Sequence, residues 1–129
     1  LQRYEEEAEG QVSAPKWMET PSLDTWKDTQ RAISRCDLVI TSCTSVAHLA
    51  GAMGIDTWIV VPILPYYLWA LPGNKTPYYN SVTLFRQEKY GCWRAPFKKL
   101  KEQLQLRQNN INAFLYNDIS ADNQQFIEM

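Results

Sequence analysis

Polar positions dominate the first 21 residues. Three glutamates run together at 5–7 and prolines stand at 15 and 21, so no period is sustained and an irregular lead-in is expected. The one regular element that fits this stretch is a short strand over 11–14. From position 22 the pattern changes. Leu23, Trp26 and Ile33 recur at near-helical spacing with Ala32 and Cys36 beside them. Ser22 stands where an N-cap would and Asp24 suits a first turn, which predicts a helix over 23–35. The β-branched run "LVIT" at 38–41 reads as a strand buried on both faces. Thr44 or Ser45 can cap a second helix, with Val46, Leu49, Ala50 and Met53 on one side and Gly54 placed for a left-handed C-terminal cap. "TWIVVP" at 57–62 is a second buried strand. Strand, turn, helix and strand in about 25 residues make a βαβ unit, which builds parallel sheet through a right-handed crossover.

Beyond Pro62 the alternation stops. "ILPYYLWALPGNKTPYYNS", residues 63–81, is rich in aromatics and prolines and reads as a long ordered loop, a kind of segment that usually has a function. "VTLFRQ" at 82–87 alternates as a strand does. Pro96 suits the first turn of a closing helix, with Phe97, Leu100 and Leu104 as its apolar stripe and Lys98, Lys99, Lys101 and Glu102 facing water. The tail past Asn109 predicts at most a further short helix near Ser120, so 96–129 is expected as a C-terminal helical segment. The pattern describes one domain of class α/β, a Rossmann-like parallel sheet flanked by helices.

Composition narrows the function more than the fold. A 129-residue chain that is 45% hydrophobic can bury one core of ordinary size. Its net charge of −1 argues against nucleic acid as partner. No apolar run reaches the roughly 18 residues that span a bilayer, and no secretory signal opens the chain. Cys36, Cys43 and Cys92 are an odd number at spacings of 7 and 49, which match neither a disulfide framework nor a metal site. Reduced thiols in a cytoplasmic protein are the expectation, with no metal and no cofactor.

Candidate chemistry gathers in "TSCTSVAHLAGAMG", residues 41–54, which holds the single histidine. A Cys43 thiolate at a helix N-terminus would be stabilised by the helix dipole, as in several cysteine enzymes. A phosphatase loop, however, needs an arginine six residues after its cysteine, and Leu49 stands there. The second reading is an anion cradle. Where a parallel strand ends in a turn of small residues, unpaired amides of the next helix can hold phosphate without a basic side chain, and Thr44 and Ser45 add hydroxyls. Ligands of open α/β sheets collect at this end of the strands. A plain helix cap with small residues for close packing accounts for the segment equally well. His48 lies one turn into the helix, beside that cradle. Tyr66, Tyr67, Trp69, Tyr78 and Tyr79 offer flat faces suited to a base or sugar ring, and Arg86 suits a phosphate or a buried carboxylate.

Several motifs in order are similar to one family. "CDLVITSCTSVAHLAGAMG", "TWIVVP", "YYLWAL", "TPYYNSVTLFRQ" and "GCW" resemble the C-terminal nucleotide-sugar domain of heptosyltransferase-like glycosyltransferases, of the type often fused to tetratricopeptide repeats. The resemblance covers about residues 22–93. The family pattern at the strand end is roughly D-T-x-x-A-H-L-A-G-A, matched by Thr44, Ala47, His48, Leu49, Ala50, Gly51 and Ala52, with Cys43 in place of the aspartate. Trp69 matches a family tryptophan, Leu68 replaces a common arginine, 76–79 is similar to S-P-W-Y, and Phe85, Arg86 and Gln87 match F-R-Q.

The resemblance implies that Cys43, Thr44, Ser45, Ala47 and His48 surround the donor diphosphate and that Trp69, Tyr78 and Arg86 approach its sugar or base. It also implies that Leu1 and Gln2 end a central strand of the C-terminal domain. The chain would then be the last part of a two-domain GT-B enzyme. The acceptor-binding domain and the catalytic base would lie upstream, so this chain alone would be inactive. The expected chemistry is metal-independent inverting sugar transfer, with the nucleotide sugar as substrate. A non-catalytic phospho-ligand-binding or interaction module of the same fold is the alternative. A truncated sheet would expose an edge strand and offer a route to self-association.

Overall fold

The computed structural model describes residues 15–127, with side chains to position 115. The strand expected over 11–14, and the strand end expected at Leu1 and Gln2, lie outside the described residues. The elements are α1 (Trp26–Ser34), β1 (Val39–Ser42), α2 (Ser45–Ala52), β2 (Thr57–Val61), a 3-10 turn (Tyr67–Trp69), β3 (Val82–Arg86) and α3 (Arg94–Ile127). The strands form one parallel sheet in the order β1-β2-β3. This is the α/β arrangement that the hydrophobic pattern predicts: a parallel sheet flanked by helices.

The sheet is buried through alternation along β2, whose five residues are all buried. Ile59 and Val61 pack on one face with Ala47 of α2, Trp69, Val82 and Leu84. Trp58 and Val60 pack on the other with Phe85 and with Leu100 of α3. At about 25 cal/mol per Å² of apolar surface removed from water, these clusters are the main force closing the domain. β1 departs from the expected two-sided burial. Val39 is buried against Ile33 of α1 and Ala50 of α2, whereas Ile40 on the α3 side is 44% exposed. Leu100 of α3 packs on residues of β2 and β3, not on Ile40.

α1 begins three residues later than expected. Thr25, not Ser22, is the N-cap, because Asp28 falls at the third helical position and completes a capping box. The Asp28 amide donates to Thr25 Oγ1 at 3.2 Å, and the Thr25 amide donates to Asp28 Oδ2 at 3.0 Å. Ser22 Oγ instead bonds Asp24 Oδ2 at 2.6 Å. Trp26, placed on the apolar face by its spacing, is 60% exposed, and the buried positions are Thr29 and Ile33.

α2 ends as its glycine predicts. Gly54 takes φ +71°, the Gly54 amide donates to Gly51 O at 3.1 Å and the Ile55 amide to Ala50 O at 3.2 Å. These two bonds are a Schellman motif, which needs the left-handed residue that glycine supplies at low cost.

α3 overturns the reading of the tail. It is one continuous helix of 34 residues, about 51 Å long, and not a helix that stops before a second near Ser120. No proline or glycine occurs from 97 to 127, and the asparagines at 109, 110 and 112 each cost only about 0.7 kcal/mol or less relative to alanine. Of the expected stripe only Leu100 is buried, while Phe97 is 53% and Leu104 40% exposed. Arg107 secures the helix across the strands' amino ends, donating to Asp56 Oδ2 at 2.6 Å and to Asp37 O at 3.0 Å. Among the described residues, no helix is long and apolar enough to cross a membrane.

Candidate functional site

Ser42, Val60 and Phe85 are aligned across the three strands, so β1, β2 and β3 finish together and their following segments share one edge. At that edge β1 turns into α2 through two residues. The Thr44 amide donates back to Ser42 O at 2.8 Å, and the Ala47 amide to Thr44 O at 3.0 Å. Thr44 is the N-cap with extended backbone, yet its hydroxyl makes no capping bond. The first amides of an α-helix have no partner within the helix, so those of Ser45 and Val46 are left for water or a ligand. Thr44 and Ser45 are exposed at this end, and the dipole adds partial positive charge there. Cys43 is half-buried and packs against the Ala47, Ile59 and Val61 cluster. Ala47 is fully buried and forms the floor.

His48 is held from three sides. Its Nδ1 lies 3.0 Å from the Tyr79 hydroxyl. The Trp69 indole stacks on it with ring centroids 5.0 Å apart and planes at 27°, and the Tyr79 ring meets it edge-on at 5.8 Å. Tyr79 can reach this position because residue 51 is glycine: a Cβ there would stand 2.7 Å from Tyr79 Cγ. The ring therefore lies on the bare backbone of α2 one turn beyond His48.

The expected sugar and base contacts are distributed differently. Trp69 is 1% exposed and belongs to the core with Ile59, Val61, Val82 and Leu84. Its indole supports His48 and presents no face to solvent. Arg86 is occupied by the backbone of the aromatic loop, donating through Nε to Gly73 O at 2.7 Å and through Nη2 to Leu71 O at 2.5 Å. Among the described residues it pairs with no carboxylate. Gln87, 6% exposed, holds the start of the same loop: its Oε1 accepts from the Ile63 amide at 3.1 Å, and its own amide donates to Val61 O at 2.8 Å. Arg86 and Gln87 thus clip residues 63–73 from both ends. The clip leaves Tyr66 and Tyr67 outside, 61% and 66% exposed with centroids 4.5 Å apart. Charge on the adjacent Tyr67 phenol raises the pKa of Tyr66. Tyr78 is 54% exposed, its amide donating to Thr76 Oγ1 at 3.3 Å.

Three structural roles escape the sequence reading: Tyr79 as the partner of His48, Gly51 as its seat, and Gln87 as a loop anchor. A signal for the first two is present, since a glycine inside a helix, three residues after a histidine, marks a close approach. No hydrogen bond joins Cys43 to His48 among the described residues, whereas thiol catalysis needs a base within hydrogen-bond reach. Cys36, Cys43 and Cys92 are free thiols. Among the described residues, no group of three or more His, Cys, Asp or Glu could hold a metal ion. A groove of about 650 Å³ between β3, α3 and residues 73–74 lies on the α3 face, lined by Trp58, Phe85 and the Glu88–Lys99 ion pair. No protein-family model, curated protein or solved structure matches this chain.

Proposed function

We propose that the chain binds the diphosphate of a nucleotide sugar at the turn between β1 and α2, as the donor-binding part of a GT-B glycosyltransferase. The observation that carries this reading is the unsatisfied N-terminus of α2 at the carboxyl end of a parallel strand, with Thr44 and Ser45 exposed beside it and no side chain capping it. The ordered motifs that resemble heptosyltransferase-like enzymes narrow the anion to a nucleoside diphosphate. In transfer, the amides and hydroxyls would neutralise charge on the leaving diphosphate as the glycosidic bond breaks, which is electrostatic stabilisation of the transition state. The base that activates the acceptor would belong to a further domain. The amide cradle does not depend on the aspartate that Cys43 replaces. Tyr66, Tyr67 and Tyr78 are the exposed rings left to meet a base or sugar.

One observation favours a second reading, a non-catalytic phospho-ligand-binding module. Trp69 and Arg86, two of the three residues that the family resemblance places at the sugar or base, are engaged within the protein. Calorimetric titration with UDP, ADP and GDP, with their sugar conjugates and with inorganic pyrophosphate, separates the readings. Sugar conjugates that bind more tightly than pyrophosphate support the transferase reading, while equal affinities support the module. Ser45→Asp sets a carboxylate at the cradle and should weaken binding at least tenfold. Absence of binding by the unmodified protein would refute both.

A further inference from the structure

His48 is four residues after Thr44 and three after Ser45, so all three share one stretch of the α2 surface. Helical side chains lean toward the N-terminus, the direction of the turn that presents the unpaired amides. Gly51 continues the same strip one turn further on, and Tyr79 lies across it, ring on Gly51 and hydroxyl 3.0 Å from His48 Nδ1. Trp69 stacks on the imidazole and restrains its rotation. Among the described residues, Nε2 has no hydrogen-bond partner, whereas Nδ1 has one.

The contact has two forms, Tyr79 O–H donating to an unprotonated Nδ1 or Nδ1–H donating to the phenol oxygen. In the first form the imidazole proton resides on Nε2. We propose that Tyr79 is a positioning residue, whose hydroxyl holds His48 in the Nε2–H tautomer so that Nε2 donates to a phosphate oxygen at the α2 N-terminus. This rests on the diphosphate reading above and adds to it a side-chain donor of fixed direction. Such a donor costs less conformational entropy on binding than a freely rotating one. Cys43, in the place of the family's aspartate, leaves this donor without a competing carboxylate at that position.

The single histidine makes the test direct. Long-range ¹H–¹⁵N spectra recorded at about pH 8, above the ordinary imidazole range, show which ring nitrogen holds the proton. The unmodified protein should show the Nε2–H form alone. Tyr79→Phe keeps the ring on Gly51 and removes only the hydroxyl, so it should populate the Nδ1–H form as well. It should also weaken pyrophosphate binding by about two- to tenfold, the value of one hydrogen bond. A proton on Nδ1 in the unmodified protein would overturn the proposal whatever the binding result. Unchanged tautomer populations in Tyr79→Phe would overturn it too. Altered populations with unchanged pyrophosphate affinity would remove His48 from the site and leave the amide cradle standing. Failure of the unmodified protein to bind pyrophosphate or any nucleoside diphosphate would instead remove the cradle, and the donor role of Nε2 with it.

Discussion

Gly51→Ala exposes the packing on which the site depends. The added Cβ would lie 2.7 Å from Tyr79 Cγ and 3.0 and 3.1 Å from the two Cδ atoms, against a comfortable carbon–carbon separation of about 3.5–4.0 Å. These are the inner atoms of the ring, next to the main chain, so turning the ring about its Cβ–Cγ bond does not remove the overlap. The ring must lift by close to 1 Å, which takes the hydroxyl off His48. Overpacking of this kind costs about 1–3 kcal/mol, and loss of the His48 bond about 0.5–1.5 kcal/mol. Alanine returns about 0.8–1.0 kcal/mol in helix propensity. The net expectation is destabilisation by about 0.5–3.5 kcal/mol. Denaturant unfolding followed by tryptophan fluorescence should show a lower midpoint at unchanged slope. The sign should reverse when Tyr79 is first replaced by alanine: without the ring, Gly51→Ala becomes stabilising by up to about 1 kcal/mol. A double-mutant cycle measures that coupling. If Gly51→Ala is as stable as the parent, or has the same effect with and without the tyrosine ring, the close approach of Tyr79 to α2 is refuted.

Other expectations concern the clip, the first helix and the thiol. Arg86→Ala should speed amide exchange across residues 70–75 and cost about 1.5–3 kcal/mol, the value of hydrogen bonds from a charged group. It should alter nucleoside diphosphate affinity less than twofold, and a larger loss would return Arg86 to the ligand. The Thr25 hydroxyl and amide hold the Asp28 carboxyl below its ordinary value of 3.8. A depressed pKa in the folded state adds stability above the unfolded value, and that stability is lost as pH falls through the folded one. Amides at the start of α1 should therefore lose protection, measured relative to the intrinsic exchange rate at each pH, as pH drops from about 4 downward, an effect that Asp28→Ala abolishes. Cys43 should alkylate no faster than Cys36 at neutral pH, because its side chain packs against the core cluster and no hydrogen bond joins it to His48 among the described residues; rapid, pH-dependent labelling would restore the cysteine-nucleophile reading.

The βαβ order, the three strands and the C-cap of α2 are legible in the sequence because each rests on local chemistry. β-branched runs form buried strands, and a glycine just past a helix takes the left-handed conformation. The turn from β1 into α2 is legible too, since small and hydroxyl residues between a strand and a helix favour a helix start. The start of α1 follows a local rule as well, but Ser22 and Thr25 both satisfy the N-cap preference, and only the partner at Asp28 separates them. Tertiary structure decided which side chains face the site. Trp69, Tyr78 and Tyr79 are alike in composition and all lie in one aromatic loop. Trp69 became core, Tyr78 remained outside and Tyr79 found His48 across 31 positions of sequence. No period specifies that division, because it is set by where Arg86 and Gln87 clip the loop and by the space that Gly51 leaves on α2. A strand or a cap is a contract between neighbours in the chain, whereas the surroundings of His48 exist only once the sheet has brought distant segments together.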